Sequence, residues 1–247
     1  MIDDSVRSLR PGGLRGLGRA LVRRFMDQAT VAEVETVSRG FQLITLDCPQ
    51  FRSVAWSPGD KLQIAIGGGL ATRTYTPIDW DLAAGRTRIL AYSHASAPGS
   101  DWARAVQADN ECSVFGPRPS LDVGAIPGPV LLLGDETSFG LALAMQGIAR
   151  PGDLEIALEV TSFELSSRAL DRVGLAGWRP FVKRPDGAHF DDIERLLARS
   201  ARAQVTFVLT GRSTTIQRAR QVLRARGVPA SRVMTKAYWA PGKVGLD

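Results

Sequence analysis

The chain has 247 residues, 44% of them hydrophobic and 23% charged, with 25 Gly, 14 Pro and a net charge of +6. That mixture excludes a disordered, collagenous or coiled-coil protein. Two cysteines (Cys48, Cys112) and two histidines (His94, His189) are too few for a disulfide scaffold, a four-thiolate zinc site or an iron–sulfur cluster, so no metal site on protein ligands is expected.

Residues 1–30 carry +3, with Arg7, Arg10, Arg15, Arg19, Arg23 and Arg24 set among several glycines. No apolar strand precedes Pro11, so those glycines do not form a dinucleotide-binding turn. Residues 1–24 read as a flexible basic arm, with a short helix near 18–27. The opening Met1-Ile2-Asp3-Asp4 lacks the layout of a signal peptide. The longest apolar run, from Leu141 to Met145, is far short of the roughly 20 residues a membrane span needs. A cytoplasmic protein away from membranes is expected.

From Thr30 to Leu121, short apolar segments alternate with turn residues. Strands are expected over 31–37, 41–47, 61–66, 88–92 and 112–115, with one helix over 100–108. Spacing of about ten residues suggests a small antiparallel barrel or sandwich. After Pro127-Gly128-Pro129 the pattern changes. The wholly apolar Val130-Leu131-Leu132-Leu133 reads as a strand buried on both faces. A helix over 138–148 follows, then a strand over 154–160, a helical stretch after Glu164 and a possible strand over 181–183. A helix over 191–199, a strand over 205–210, a helix over 214–226 and a strand over 232–236 complete the chain. This alternation predicts an open parallel α/β sheet. The expected organisation is the arm at 1–24, a β domain at 25–125 and an α/β domain at 126–247.

Charge is unevenly placed: residues 201–247 carry +8 and residues 31–200 carry −5. A basic end on an acidic middle suggests an anionic ligand, either nucleic acid or a phosphorylated cofactor. The plainer alternative is that Arg218, Arg220, Arg224 and Arg226 form the solvated face of a helix.

Three local clusters could carry chemistry. Gly134-Asp135-Glu136-Thr137 lies where a parallel strand turns into a helix, the end of such sheets that receives ligands. Its two acids would repel an anion and could serve only as caps. In Arg73-Thr74-Tyr75-Thr76, a guanidinium, an aromatic ring two positions along and a hydroxyl suit a flat, phosphorylated ligand. The other reading is a packed tyrosine beside a snorkelling arginine. In the run from His94 to Trp102, Gly99 and Ser100 open a helix whose amides could face a pyrophosphate. His94 and Trp102 could equally be structural.

In their order, these pieces together with Gly116-Pro117-Arg118 and the ending Tyr238-Trp239-Ala240-Pro241-Gly242-Lys243 resemble the siderophore-interacting protein family, within the ferredoxin-reductase-like flavoproteins. The resemblance runs from about Phe25 to the C-terminus. It implies an antiparallel six-stranded β-barrel that binds FAD, followed by an open parallel α/β sheet that receives NADPH or NADH. Tyr75 would lie against the isoalloxazine, Thr76 would hydrogen-bond near its N5, and Arg73, beside Thr74, would neutralise phosphate. His94, Gly99, Ser100 and Trp102 would surround the pyrophosphate and ribityl chain, with Arg118 nearby. Gly134, Asp135, Glu136 and Thr137 would border the nicotinamide, with Arg212 on the dinucleotide side. The chain departs from the family pattern in Pro77-Ile78-Asp79 after Tyr-Thr, in Ala97-Pro98-Gly99, and in Arg212 where an acid is usual.

The implied activity is a ferric-siderophore reductase, passing electrons from NAD(P)H through FAD to a ferric siderophore or other ferric chelate and releasing Fe(II). Lys61, Lys236 and Lys243 are candidates for attracting the anionic chelate. Glu159, 25 positions after Gly134, would favour NADH, whereas Arg168, Arg172 and Arg212 would favour NADPH. Rival readings are a general flavin or ferredoxin-type oxidoreductase, with ferredoxin as electron donor, and a non-catalytic siderophore-binding protein. A nucleic-acid module is disfavoured by the scattered aromatics Phe207, Tyr238 and Trp239. A monomer is expected.

Overall fold

The computed structural model describes residues 26–66, 71–93 and 97–242. The basic arm, His94 and Lys243 lie outside the described residues. So does most of the helix expected near 18–27, whose final residue, Asp27, instead opens the first strand.

Seven strands form the first sheet: β1 (Asp27–Ser38), β2 (Phe41–Asp47), β3 (Lys61–Ala65), β4 (Thr72–Tyr75), β5 (Pro77–Asp81), β6 (Arg86–Tyr92) and β7 (Glu111–Arg118). All its pairings are antiparallel, in the order β4-β3-β7-β1-β2-β6-β5. The edge strands β4 and β5 are consecutive in the chain, separated by Thr76 alone. The sheet therefore curls into an open barrel whose two edges meet at that residue. The resemblance implied six strands; the seventh arises because the chain breaks pairing at Thr76. Pro77 then starts β5 on an edge, where its missing N–H costs no ladder bond.

Alternation fills the barrel. Ile89 and Ala91 of β6 point inward with Leu62, Ile64, Ile44, Leu46 and Val114, all nearly inaccessible. Leu90 and Tyr92, on the opposite face of the same strand, look outward. The barrel is crossed at one end by α1 (Pro98–Ala105), whose first turn carries Pro98 where no intrahelical N–H is needed.

The second sheet has five parallel strands: β8 (Val130–Asp135), β9 (Leu154–Val160), β10 (Trp178–Val182), β11 (Thr206–Arg212) and β12 (Val233–Trp239). Their order is β10-β9-β8-β11-β12. Helices α2 (Phe139–Gln146), α3 (Phe163–Val173), α4 (His189–Ser200) and α5 (Ser213–Ala225) connect them. Leu131 and Leu133 pack toward α4 and α5, whereas Leu132 packs toward α2 and α3. This two-sided burial is why β8 reads as an unbroken apolar run.

That second core also joins the two sheets. Phe41 and Tyr92, on the outer face of the barrel, stack with ring centroids 4.7 Å apart, and Phe139 of α2 lies parallel to Phe41 at 5.4 Å. The crevice between the sheets thus has an apolar floor. Strand order reverses between β8 and β11, so the carboxyl ends of those strands open onto the crevice beside Thr76.

Candidate functional site

At this junction lies a cavity of about 380 Å³, within the range of small-molecule and cofactor sites. Strand β4 brings Arg73, Thr74 and Tyr75 to its wall, and the corner adds Thr76. The Tyr75 ring is backed by Trp102 of α1, at 5.7 Å and 44°. Burial pushes the Tyr75 phenol well above its ordinary range, with Arg73 pulling the other way. Thr76 Oγ1 and the Tyr238 hydroxyl sit 3.5 Å apart. Burial raises Tyr238 to about 12, so both phenols stay neutral.

Two glycines let the walls of the cavity pack closely. A Cβ on Gly99 would fall 2.9 Å from Cγ and 3.0 Å from Nε of Arg73, so the bare backbone of α1 lets the guanidinium lie across the helix start. A Cβ on Gly140 would fall 2.8 Å from the Thr76 carbonyl oxygen, so only glycine lets α2 approach the corner this closely. Ser100, in the first turn of α1, completes that side.

The far wall comes from the α/β sheet: Thr137, then Tyr238 and Trp239 at the end of β12, with 240–242 beyond. Asp135 holds this wall together. Its Oδ1 accepts from the Thr137 amide at 2.9 Å and from the Thr137 hydroxyl, and its Oδ2 accepts from Trp239 Nε1 at 2.7 Å. Gly211, at φ +90°, passes so close that a Cβ there would lie 2.5 Å from the Asp135 carboxyl carbon. The Asp135 carboxyl is raised by burial, against the pull of Lys183 and of its hydrogen bonds. The Arg212 guanidinium lies 5.4 Å from the Trp239 ring, a cation–π contact, and its Nε is buried without a partner.

Glu136 points away from this cavity. Lys183 Nζ reaches its Oε2 at 2.5 Å and the Thr161 amide donates to its Oε1. Burial pushes this carboxyl up, but Lys183 and the hydrogen bonds outweigh it and hold it below its ordinary value. The expectation that all of Gly134-Asp135-Glu136-Thr137 borders the ligand is therefore corrected: only Thr137 lines the cavity. A Cβ on Gly134 would strike Ser138 at 2.5 Å. Asp135 and Glu136 lie behind that wall, Asp135 bonded to Thr137 and Trp239 and Glu136 to Lys183.

The remaining candidates divide. Arg73, Thr74, Tyr75, Thr76, Gly99, Ser100, Thr137 and Lys61 meet at the cavity. Trp102 does not line it but backs Tyr75. Arg118 pairs in register with Lys61, donates through Nη2 to Gln63 Oε1 and lies 4.4 Å over Phe115, with its Nε buried and unpartnered. Lys236, opposite Thr210 on β12, is not among the lining residues. Glu159 is buried and bound to His189 Nε2 at 2.9 Å, so it is no free ribose acceptor. Arg168 pairs with Glu164 and Arg172 with Glu35. Residue-by-residue reading did not single out Tyr92 or Gly140. Tyr92 is signalled only by the alternation that sets it outward with Leu90, and nothing local marks Gly140.

No protein-family model and no curated protein matches the chain. Solved structures do. The siderophore-interacting protein SipS from Aeromonas hydrophila is 22% identical with a TM-score of 0.70, over 89% of this chain and 93% of that one. A siderophore utilization protein from T. fusca is 20% identical with a TM-score of 0.71, over 90% and 95%. Phthalate dioxygenase reductase, described as a modular structure for electron transfer from pyridine nucleotides to [2Fe-2S], is 15% identical with a TM-score of 0.69, over 88% and 70%. At these identities the likeness establishes a ferredoxin-reductase-like fold.

Proposed function

We propose that the chain is a pyridine-nucleotide-dependent flavin oxidoreductase that reduces ferric chelates of the siderophore type. The observation that carries this reading is the cavity at Thr76, where an aromatic ring, a hydroxyl and a guanidinium on the barrel face Thr137 and Trp239 of the α/β sheet. The residues present fit FAD. Arg73 packs across Gly99, where a Cβ would strike its side chain, and so sets its guanidinium at the cavity wall, and neutral Tyr75 offers an apolar face to a ring system. The same fold serves siderophore-interacting proteins and a reductase that takes electrons from pyridine nucleotides.

Bound flavin would supply the coupling of a two-electron donor to a one-electron acceptor. The chain's own residues supply position and charge. Tyr75, fixed by Trp102, gives the ring system a flat wall. Thr76 presents a hydroxyl at the corner, held near Tyr238. Arg73 forks onto phosphate, and the open amides of the first turn of α1 favour the same charge. Thr137 and Trp239, both tied to Asp135, form the opposite wall and exclude water. Lys61 places a positive charge at the cavity for an anionic chelate. Siderophores hold Fe(III) through hard oxygen donors, and reduction to Fe(II) weakens that hold, so release needs no protein acid or base.

The test is turnover. FAD-loaded protein given NADPH or NADH and a ferric hydroxamate is expected to oxidise the nucleotide and yield ferrous iron, captured by a chromogenic chelator. Nucleotide oxidation with no ferrous product would leave a flavin reductase and remove the siderophore reading. Neither product would remove both.

A further inference from the structure

A second cavity, of about 450 Å³, adjoins the first. Tyr92 lines both, and the consecutive residues Glu136 and Thr137 line one each. A ligand long enough to pass Tyr92 would occupy the two together. Strand β9 and the start of α3 form one side through the hydroxyls of Thr161, Ser162 and Ser166. The tight turn between β1 and β2 forms the other, through Arg39. Arg39 is exposed and has no hydrogen-bond or ion-pair partner among the described residues. Ser162 caps α3 by accepting from the Leu165 amide, which leaves the helix's first amides facing outward. The acid in this cavity, Glu136, is compensated in place by Lys183, so the uncompensated charge facing the space is positive.

None of the groups that the sequence offered for choosing between the two nicotinamides lines this second cavity. Glu159 holds His189, Arg168 holds Glu164, Arg172 holds Glu35, and Arg212 lies against Trp239. Two arginines line the second cavity: Arg104 is paired with Asp101, and Arg39, a residue of the barrel, has no such partner among the described residues. Building on the reading that a pyridine dinucleotide reaches the first cavity, we propose that the second cavity takes its phosphorylated adenosine end, with the hydroxyls around Ser162 on the ribose and Arg39 on the 2′-phosphate. The donor is then NADPH. A guanidinium forks onto a phosphate dianion, and NADH offers Arg39 nothing to hold.

Calorimetric titration with 2′,5′-ADP and with 5′-AMP tests this without turnover. The wild-type protein is expected to bind 2′,5′-ADP about tenfold more tightly than 5′-AMP, the scale of one charge-assisted hydrogen-bond pair at an exposed site. Arg39→Ala is expected to bring the two within about threefold, leaving 5′-AMP affinity and the unfolding midpoint unchanged. Equal wild-type affinities, no binding of 2′,5′-ADP, or a preference that survives Arg39→Ala would each overturn the assignment. A protein that shows the preference but binds no flavin would sink the proposed activity alone. A flavin-loaded protein without the preference would sink this inference alone.

Discussion

Lys183→Met should reverse the way stability depends on pH. Lys183 Nζ lies 2.5 Å from Glu136 Oε2, and the Glu136 side chain is only 2% exposed against 24% for Lys183. At that distance and an effective dielectric of about 20, the attraction is ~7 kcal/mol, and dehydrating the pair takes back much of it. Removing only the cation strands a buried carboxylate with the Thr161 amide and the Tyr92 hydroxyl. The cost should be about 3 kcal/mol near neutral pH, the low end for breaking a buried pair because Lys183 is partly wet. In the wild type the Glu136 carboxyl is held below its ordinary 4.5. Its contribution is therefore present above that value and lost as pH falls through the depressed one. In the variant, burial acts without its main counterweight and raises the carboxyl. Stability should then be lost as pH rises past about 4.5, and Asp135, which Lys183 also lowers, shifts the same way. Urea denaturation at pH 4.5 and 7.5 measures both. The variant should approach wild type at the lower pH and fall short by about 3 kcal/mol at the higher, and adding Glu136→Gln should recover much of the loss. A variant within about 0.5 kcal/mol of wild type at both pH values would show that Lys183 does not compensate Glu136.

Gly211→Ala places a methyl 2.5 Å from the Asp135 carboxyl at a φ of +90°; it should cost about 3 kcal/mol in chemical denaturation, and a loss under 1 kcal/mol would mean that the β11 end yields easily. Asp135→Asn replaces one of two accepting oxygens with a donor, so the Trp239 indole, now bonded at 2.7 Å, should loosen. The fluorescence component that Trp239→Phe removes should shift to longer wavelength in the Asn variant, and an unshifted component would show that Asp135 does not hold the ring.

Repeating local patterns made the fold legible. The run at Val130 announced β8, and alternation along Phe41-Gln42-Leu43-Ile44 announced β2, because each face of each strand meets a different core. Strand β5 stayed hidden: Pro77 and Asp79 look like a turn until β4 and β5 are seen as two edges of one curled sheet. At the cavity, Arg73, Tyr75, Thr76 and Gly99 were legible as a cluster of suitable chemistry. The direction in which the Gly-Asp-Glu-Thr corner points was not. Asp135 is decided by Trp239, 104 positions away, and Glu136 by Lys183, 47 positions away. Long-range pairing likewise withdrew Glu159, since His189 meets it only once α4 has packed beside β9. Spacing along a single chain carries no trace of such partners.

Equilibrium titration of FAD, followed by quenching of its fluorescence, tests whether the cavity at Thr76 seats a flavin. One FAD per chain is expected to bind at micromolar affinity or better, weakened at least about tenfold by Arg73→Ala, which removes the guanidinium beside Gly99. Unquenched FAD at saturating protein, or binding indifferent to Arg73, would contradict it.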